Sequence, residues 1–306
     1  MRSASSFRLG HTLQYLRHLC RLPQRLSVRA MTTFRLENSE PPCSVILCAG
    51  LSKEALLSHK PFQQWLNSLQ TNLKTQNSEN HAFNKAPYAL RSIEIQAVDM
   101  FGHNRIGFIK FKANVTNDEG EFLPGAVFLR GGSVAMLVIL QPDDVPEASD
   151  EEQYTILTIQ PRIAAGSLAF PEIPAGMLDN AGTFSGGAAK ELREETGLEV
   201  HEDELIDLTA LAADLSPGPP GEVLQNAVYP SPGGCDEFIP IFLCRKRIAR
   251  EKLRDFQGKL TGLRDEGEKI TLKIVKLNEL WKEGCRDGKT LAAYALYSGL
   301  KGEGKI

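Results

Sequence analysis

The sequence predicts an α/β protein, an α+β sandwich in which a mixed β-sheet is flanked by helices and preceded by a small β-rich N-terminal unit. Three observations predict it. Segments that alternate apolar and polar residues crowd the stretch from Arg91 to about Gln160. A polar, carboxylate-rich helix then interrupts the strands near Ser185–Gly197. Strand patterns return in "FIPIFLCRKRI" and "ITLKIVKL" before a C-terminal helical stretch.

Length and composition bound the possibilities. A chain of 306 residues, 42% hydrophobic, can bury a sizeable core and a smaller appended one. Its net charge of −3 argues against a nucleic-acid or polybasic membrane-surface protein, and no apolar run reaches the roughly 18 residues of a membrane span. The six cysteines (Cys20, Cys43, Cys48, Cys235, Cys244, Cys285) form no CxxC pair or zinc spacing, so scattered reduced thiols are expected. Cys235, in a Gly-rich loop, is the thiol to check for reactivity. The first 36 residues carry seven arginines, four serines and no acid. That is the composition of an organellar transit peptide, read here as residues 1–30 with cleavage near Ala30. "SVRAM" favours the plastid; an Arg-rich amphipathic helix over "FRLGHTLQYLRHLCRL" makes the mitochondrion the alternative.

The N-terminal unit is taken as 31–133. Within it "VILCAG" reads as a buried strand, and residues 52–76 place Leu56, Leu57, Phe62, Trp65, Leu66 and Leu69 at near-helical spacing. "SIEIQAVDM" and "RIGFIKFKANV" alternate as strands, with "DEGEFLPG" as a turn. "AVFLRGGSVAMLVILQ" is two strands broken at Gly131–Gly132, and the second opens a main domain at 134–302. "YTILTIQPRI" follows an acidic loop, and the last helices fall in "NELWKEG" and "TLAAYALYSGL".

The carboxylate helix carries the chemistry. Ser185 is positioned to cap it and Gly197 to end it in a left-handed conformation. At about 100° per residue, Glu191, Glu194 and Glu195 share one arc, while Leu192 and Ala189 face a sheet on another side. Like charges at these spacings destabilise a helix by a few tenths of a kcal/mol per pair, roughly. A hard divalent cation would compensate.

From Gly176 to Leu198 the spacing resembles the box of the Nudix hydrolases, G-x5-E-x7-R-E-U-x-E-E-x-G-U, where U is a bulky aliphatic residue. Gly176, Glu191, Leu192, Glu194, Glu195, Gly197 and Leu198 fit; Gly182 stands where the pattern has Glu, and Lys190 where it has Arg. The resemblance implies the Nudix fold. It also implies a Mg²⁺ site, with Mn²⁺ as the alternative ion, held by Glu191, Glu194, Glu195 and the backbone carbonyl of Ala175. Glu194 and Glu195 would take part in catalysis. Glycine at 176 would let backbone approach metal and diphosphate closely. Lys190 keeps the charge of arginine but not its planar fork, so weaker bracing around the ligands, not loss of the metal, is expected.

"QPRIAAG", "EIPAGML" and "YPSPGGCDEF" extend the resemblance to the ADP-ribose/ADP-sugar pyrophosphatase branch, over about Val134–Leu300. In this reading Arg162 holds the diphosphate or the nucleotide with its forked donors, Glu172 touches the sugar or orients the loop, and Gly176, Gly233 and Gly234 bring backbone to the substrate. A glutamate of "RDEGEKITLKIV", Glu268 with Glu266 in reserve, would be a further catalytic acid or base. Phe101 and Phe108 are candidates for stacking on adenine. The branch implies a homodimer built through the N-terminal unit. It also implies Mg²⁺-dependent cleavage of ADP-sugars, ADP-glucose foremost and ADP-ribose and ADP-mannose besides, to AMP and a sugar phosphate. In a plastid this would set the ADP-glucose available for starch synthesis. The rival readings are UDP-glucose or ADP-ribose as main substrate, and a module that binds nucleotide without cutting it.

Overall fold

A computed structural model describes residues 32–37, 39–102, 105–146, 149–178, 183–216, 221–263 and 268–306. The transit-peptide reading of residues 1–30, Gly182 and Glu266 lie outside the described residues.

The N-terminal half builds β1 (Thr33–Arg35), β2 (Ser44–Ile46), α1 (Lys53–Ser58), α2 (Lys60–Leu73), β3 (Ala89–Phe101), β4 (Arg105–Thr116), β5 (Phe122–Leu123) and β6 (Ala126–Leu129). Its sheet runs β1-β2-β3-β4-β5, with β6 also on β4. The long β3–β4 hairpin dominates, and its alternation puts Ile93, Ile95, Ile109, Phe111 and Ala113 into the core. α2 lies on this face; Trp65 meets the Phe111 ring edge-on at 4.6 Å. The helix expected over 52–76 is two helices, because Pro61 begins a new one. His59 is extended between them, and Pro61 occupies the first turn of α2, where a missing N–H does no harm.

The second half contains β7 (Ser133–Pro142), β8 (Tyr154–Arg162), β9 (Ser167–Glu172), β10 (Ala175–Met177), α3 (Phe184–Thr196), β11 (Leu205–Asp207), α4 (Leu208–Leu215), β12 (Ile241–Ile248), α5 (Arg250–Phe256), β13 (Leu260–Thr261), β14 (Ile270–Lys276), α6 (Leu280–Glu283) and α7 (Gly288–Gly302). The sheet order is β11-β12-β7-β8-β14-β13, with β10 on β7 and β9 on β8. β12 is parallel to β7 and the other pairs are antiparallel, so the sheet is mixed. β7 is buried at every residue, as a central strand covered on both faces must be. Ala135, Leu137 and Ile139 pack toward Leu208 of α4 and Ala293, Tyr297 and Leu300 of α7. Val134, Met136, Val138 and Leu140 pack toward Ala188 and Leu192 of α3 and Leu253 of α5. This is the expected sandwich, helices on both faces of one mixed sheet. Among the described residues no helix is long and apolar enough to cross a membrane.

Candidate active site

α3 starts at Thr183, whose hydroxyl accepts from the Gly186 N–H at 3.0 Å. Ser185 is not the cap: its hydroxyl, like that of Thr183, donates to the Glu202 carboxylate. Gly197 ends the helix at φ 76°, its N–H returning to Arg193 O. The apolar face is set by Leu192 and Ala188, with Ala189 only partly buried. That orientation turns Glu191 and Glu195 toward β10 and the end of β8.

Glu195 is 5% exposed. Its carboxylate accepts from the Ala175 N–H at 2.9 Å and from Gln160 Nε2 at 3.2 Å. Burial pushes its pKa up to about 8; the two donors oppose the rise, and nearby Glu191 and Glu172 add to it. Glu191 rests against Gly176 so closely that a Cβ there would lie 2.0 Å from the Glu191 carboxyl carbon. Gly176 is required because the carboxylate occupies the space a side chain would fill. Glu194 is more open and stands 4.0 Å from Lys190 one turn earlier.

Beside Glu195 lies a second polar cluster. Glu172, 2% exposed, accepts from Arg162 Nε at 2.6 Å and, on its other oxygen, from Lys289 Nζ. Lys289 also reaches Asp287 at 3.1 Å. Asp287 caps α7 through Thr290, and the Thr290 hydroxyl accepts from the Ile173 N–H at 3.0 Å. Sequence reading finds Arg162 and Glu172 but misses Gln160, Asp287 and Lys289. Gln160 sits inside "QPRIAAG", two residues before Arg162, and alternation along β8 could have marked it as facing the same side. Lys289 is 117 residues from Glu172 and carries no local signal.

Glu191 also lines a cavity of about 610 Å³ between the two halves of the chain. Its walls include His59 and Lys60 at the α1–α2 junction, Phe101 and Arg105 at the end of the β3–β4 hairpin, Arg130, and Lys190. The Arg105 guanidinium lies 5.6 Å from the centre of the Phe101 ring. Arg130 pairs with Glu237 at 3.0 Å and donates to Ser133 at 2.8 Å, while its Nε is buried without a partner. Phe101 thus faces the cavity. Phe108 does not line it and packs between Phe101 and Phe128 at 5.1 and 5.2 Å.

The NUDIX domain profile matches residues 144–294. Nudix hydrolase 14, chloroplastic, of Arabidopsis thaliana is 36% identical over 304 residues, 98% of this chain and 90% of that protein. The chain belongs to the Nudix family. A crystal structure described as that of an ADP compounds hydrolase superposes with a TM-score of 0.42 at 14% identity, covering 71% of this chain and 99% of that one; at that distance it adds nothing on substrate.

Nudix hydrolases typically use divalent metals, and the donors here fit a hard cation. Two carboxylates on adjacent turns, one buried and one seated on bare backbone, offer oxygen ligands. Among the described residues no three acidic, histidine or cysteine side chains form a ready-made cage. Such a set suits a hard divalent cation that keeps several waters and takes substrate phosphate oxygens. Ala175 meets Glu195 through its N–H.

Other sequence-based candidates stand apart from these Nudix carboxylates. Glu268 is exposed, and its carboxylate accepts from the Leu263 N–H of its own loop at 3.1 Å. That loop nonetheless starts next to the site, since Thr261 donates to Glu195 O at 2.5 Å. Gly234 gives its N–H to Ser231 O and accepts from Phe128 N, so the "SPGG" turn docks on β6, and Gly233 and Gly234 are not in the cavity wall. Cys235, half-buried, has its thiol pKa raised by burial, the opposite of what a nucleophile needs.

Proposed function

We propose that this Nudix hydrolase cleaves the diphosphate bond of ADP-sugars in a plastid, with ADP-glucose as lead substrate, giving AMP and glucose 1-phosphate. The observation that carries the reading is the seat of Glu191 on Gly176 beside buried Glu195, with Arg162 held by Glu172 alongside. In this reading Glu191, Glu194 and Glu195, with the Ala175 carbonyl, hold Mg²⁺. What a bound cation supplies there is neutralisation of charge growing on the diphosphate and a more acidic water. Arg162 holds diphosphate oxygens with its terminal nitrogens. A carboxylate at the same site takes the proton of the attacking water. The cavity receives the remainder of the substrate, with the partly exposed Phe101 ring as a surface for adenine and cationic side chains around it for phosphate and ribose. The Arg-rich, acid-free leader and the chloroplastic designation of the Arabidopsis relative support the compartment.

The test is a substrate panel on the full chain with Mg²⁺: ADP-glucose, ADP-ribose, ADP-mannose, UDP-glucose and NADH, each followed by release of the mononucleotide. The highest kcat/KM is expected for ADP-glucose. A preference for UDP-glucose or NADH would overturn the substrate assignment, and no cleavage of any would overturn hydrolysis.

A further inference from the structure

Resting on the diphosphate reading above, we propose that Lys289 is a positioning residue for that reaction: it occupies one oxygen of Glu172 so that Arg162 keeps its terminal nitrogens for the diphosphate.

Glu172 is a carboxylate almost wholly removed from water, which demands cationic or hydrogen-bonding partners on both oxygens. Arg162 gives it only Nε, at 2.6 Å on Oε1. Lys289 takes Oε2. Among the described residues no other group pairs with Arg162, so its two terminal nitrogens carry no partner, and its side chain is 41% exposed. A guanidinium beside a lone carboxylate prefers the two-bond, fork-on-fork pairing. What prevents that here is Lys289, already on the second oxygen.

Lys289 is itself fixed. It is 12% exposed and is also held by Asp287, the cap of α7. Thr290, bonded to the same Asp287, accepts from the N–H of Ile173, the residue after Glu172. The ammonium and the carboxylate it occupies are therefore tied to one rigid corner. Two carboxylates and two cations balance there. Removing the lysine charge leaves Glu172 with a bare oxygen and Arg162 as its nearest cation. The arginine then folds inward and its fork is lost to the substrate.

Equilibrium binding of adenosine 5′-(α,β-methylene)diphosphate with Mg²⁺, measured by calorimetry on the full chain, tests this. Lys289→Met should weaken binding roughly ten- to hundredfold, as loss of a supporting contact commonly does. Lys289→Arg, which keeps the charge, should recover most of it. In an Arg162→Ala background Lys289→Met should have no further effect, because the contact it protects is gone. Wild-type affinity in Lys289→Met, an undiminished loss in the Arg162→Ala background, or a Lys289→Arg as weak as Lys289→Met overturns the proposal. If Lys289→Met does not fold, Lys289→Gln is read by the same cycle. Absence of binding by the wild type would instead sink the diphosphate reading, and the role of Lys289 with it.

Discussion

Gly176 and Glu191 define the site at the scale of single residues. The glycine has no unusual φ; it is needed because the Glu191 carboxylate lies where a Cβ would project. Gly176→Ala should therefore separate stability from activity. The displaced group is the end of a flexible side chain, so folding should lose only about 1 kcal/mol. Turnover should fall at least roughly tenfold, because the carboxylate is driven off its seat. Thermal unfolding and a rate assay on the same preparation check this; parallel losses would mean the contact is merely structural. Two buried thiols are quiet by comparison. Burial pushes Cys43 and Cys244 up to about 11, which leaves them protonated and inert at neutral pH.

At the scale of elements, α3 was the most legible part of the sequence. Its carboxylate spacing and its left-handed glycine stop follow from local residues, while the cap moved from Ser185 to Thr183 and the buried alanine of its apolar face from Ala189 to Ala188. β3, β4, β7 and β8 were legible for the same reason, since alternation or unbroken apolar character is written within each strand. α4, α5, β9 and β10 were not read, being short and fixed by packing across the sheet. Gln160 and Lys289 escaped because their partners lie 35 and 117 residues away. Another long-range fastening joins α5 to the acidic loop before β8. Hydrogen bonds from Arg250 hold Asp144 and Glu152 below the usual carboxylate range, and Glu152 sits at φ 54°, which an ordinary side chain resists. With lowered folded pKa values, this contribution is present above the ordinary carboxylate range and is lost as pH falls through the depressed values. The gap in thermal midpoint between wild type and Arg250→Ala should be present at neutral pH and close as pH falls through and below the ordinary carboxylate range. A gap that stays constant into strong acid would show that Arg250 acts by packing rather than charge.

At the scale of the whole molecule, two hydrophobic layers clamp β7, and a separate core supports the N-terminal sheet. The cavity lies where these parts meet. The N-terminal half brings Phe101, Arg105 and the α1–α2 junction, and the Nudix half brings Glu191 and Lys190. The Nudix carboxylates thus come from one half and much of the cavity wall beside them from the other. No local pattern could show this, because it depends on how the two sheets are joined through the Arg130–Gly132 turn and the docking of Phe128 on Gly234. In the proposed function the carboxylates of α3, with Glu195 buried among them, perform metal-assisted cleavage of a nucleoside diphosphate bond. The most direct test is the rate of AMP release from ADP-glucose under saturating Mg²⁺ by wild type and Glu195→Gln, with circular dichroism confirming the fold of each. The kcat of the variant should fall by a factor on the order of 10²–10⁴ with the fold unchanged; near-wild-type turnover by the folded variant would show that Glu195 has no part in the cleavage.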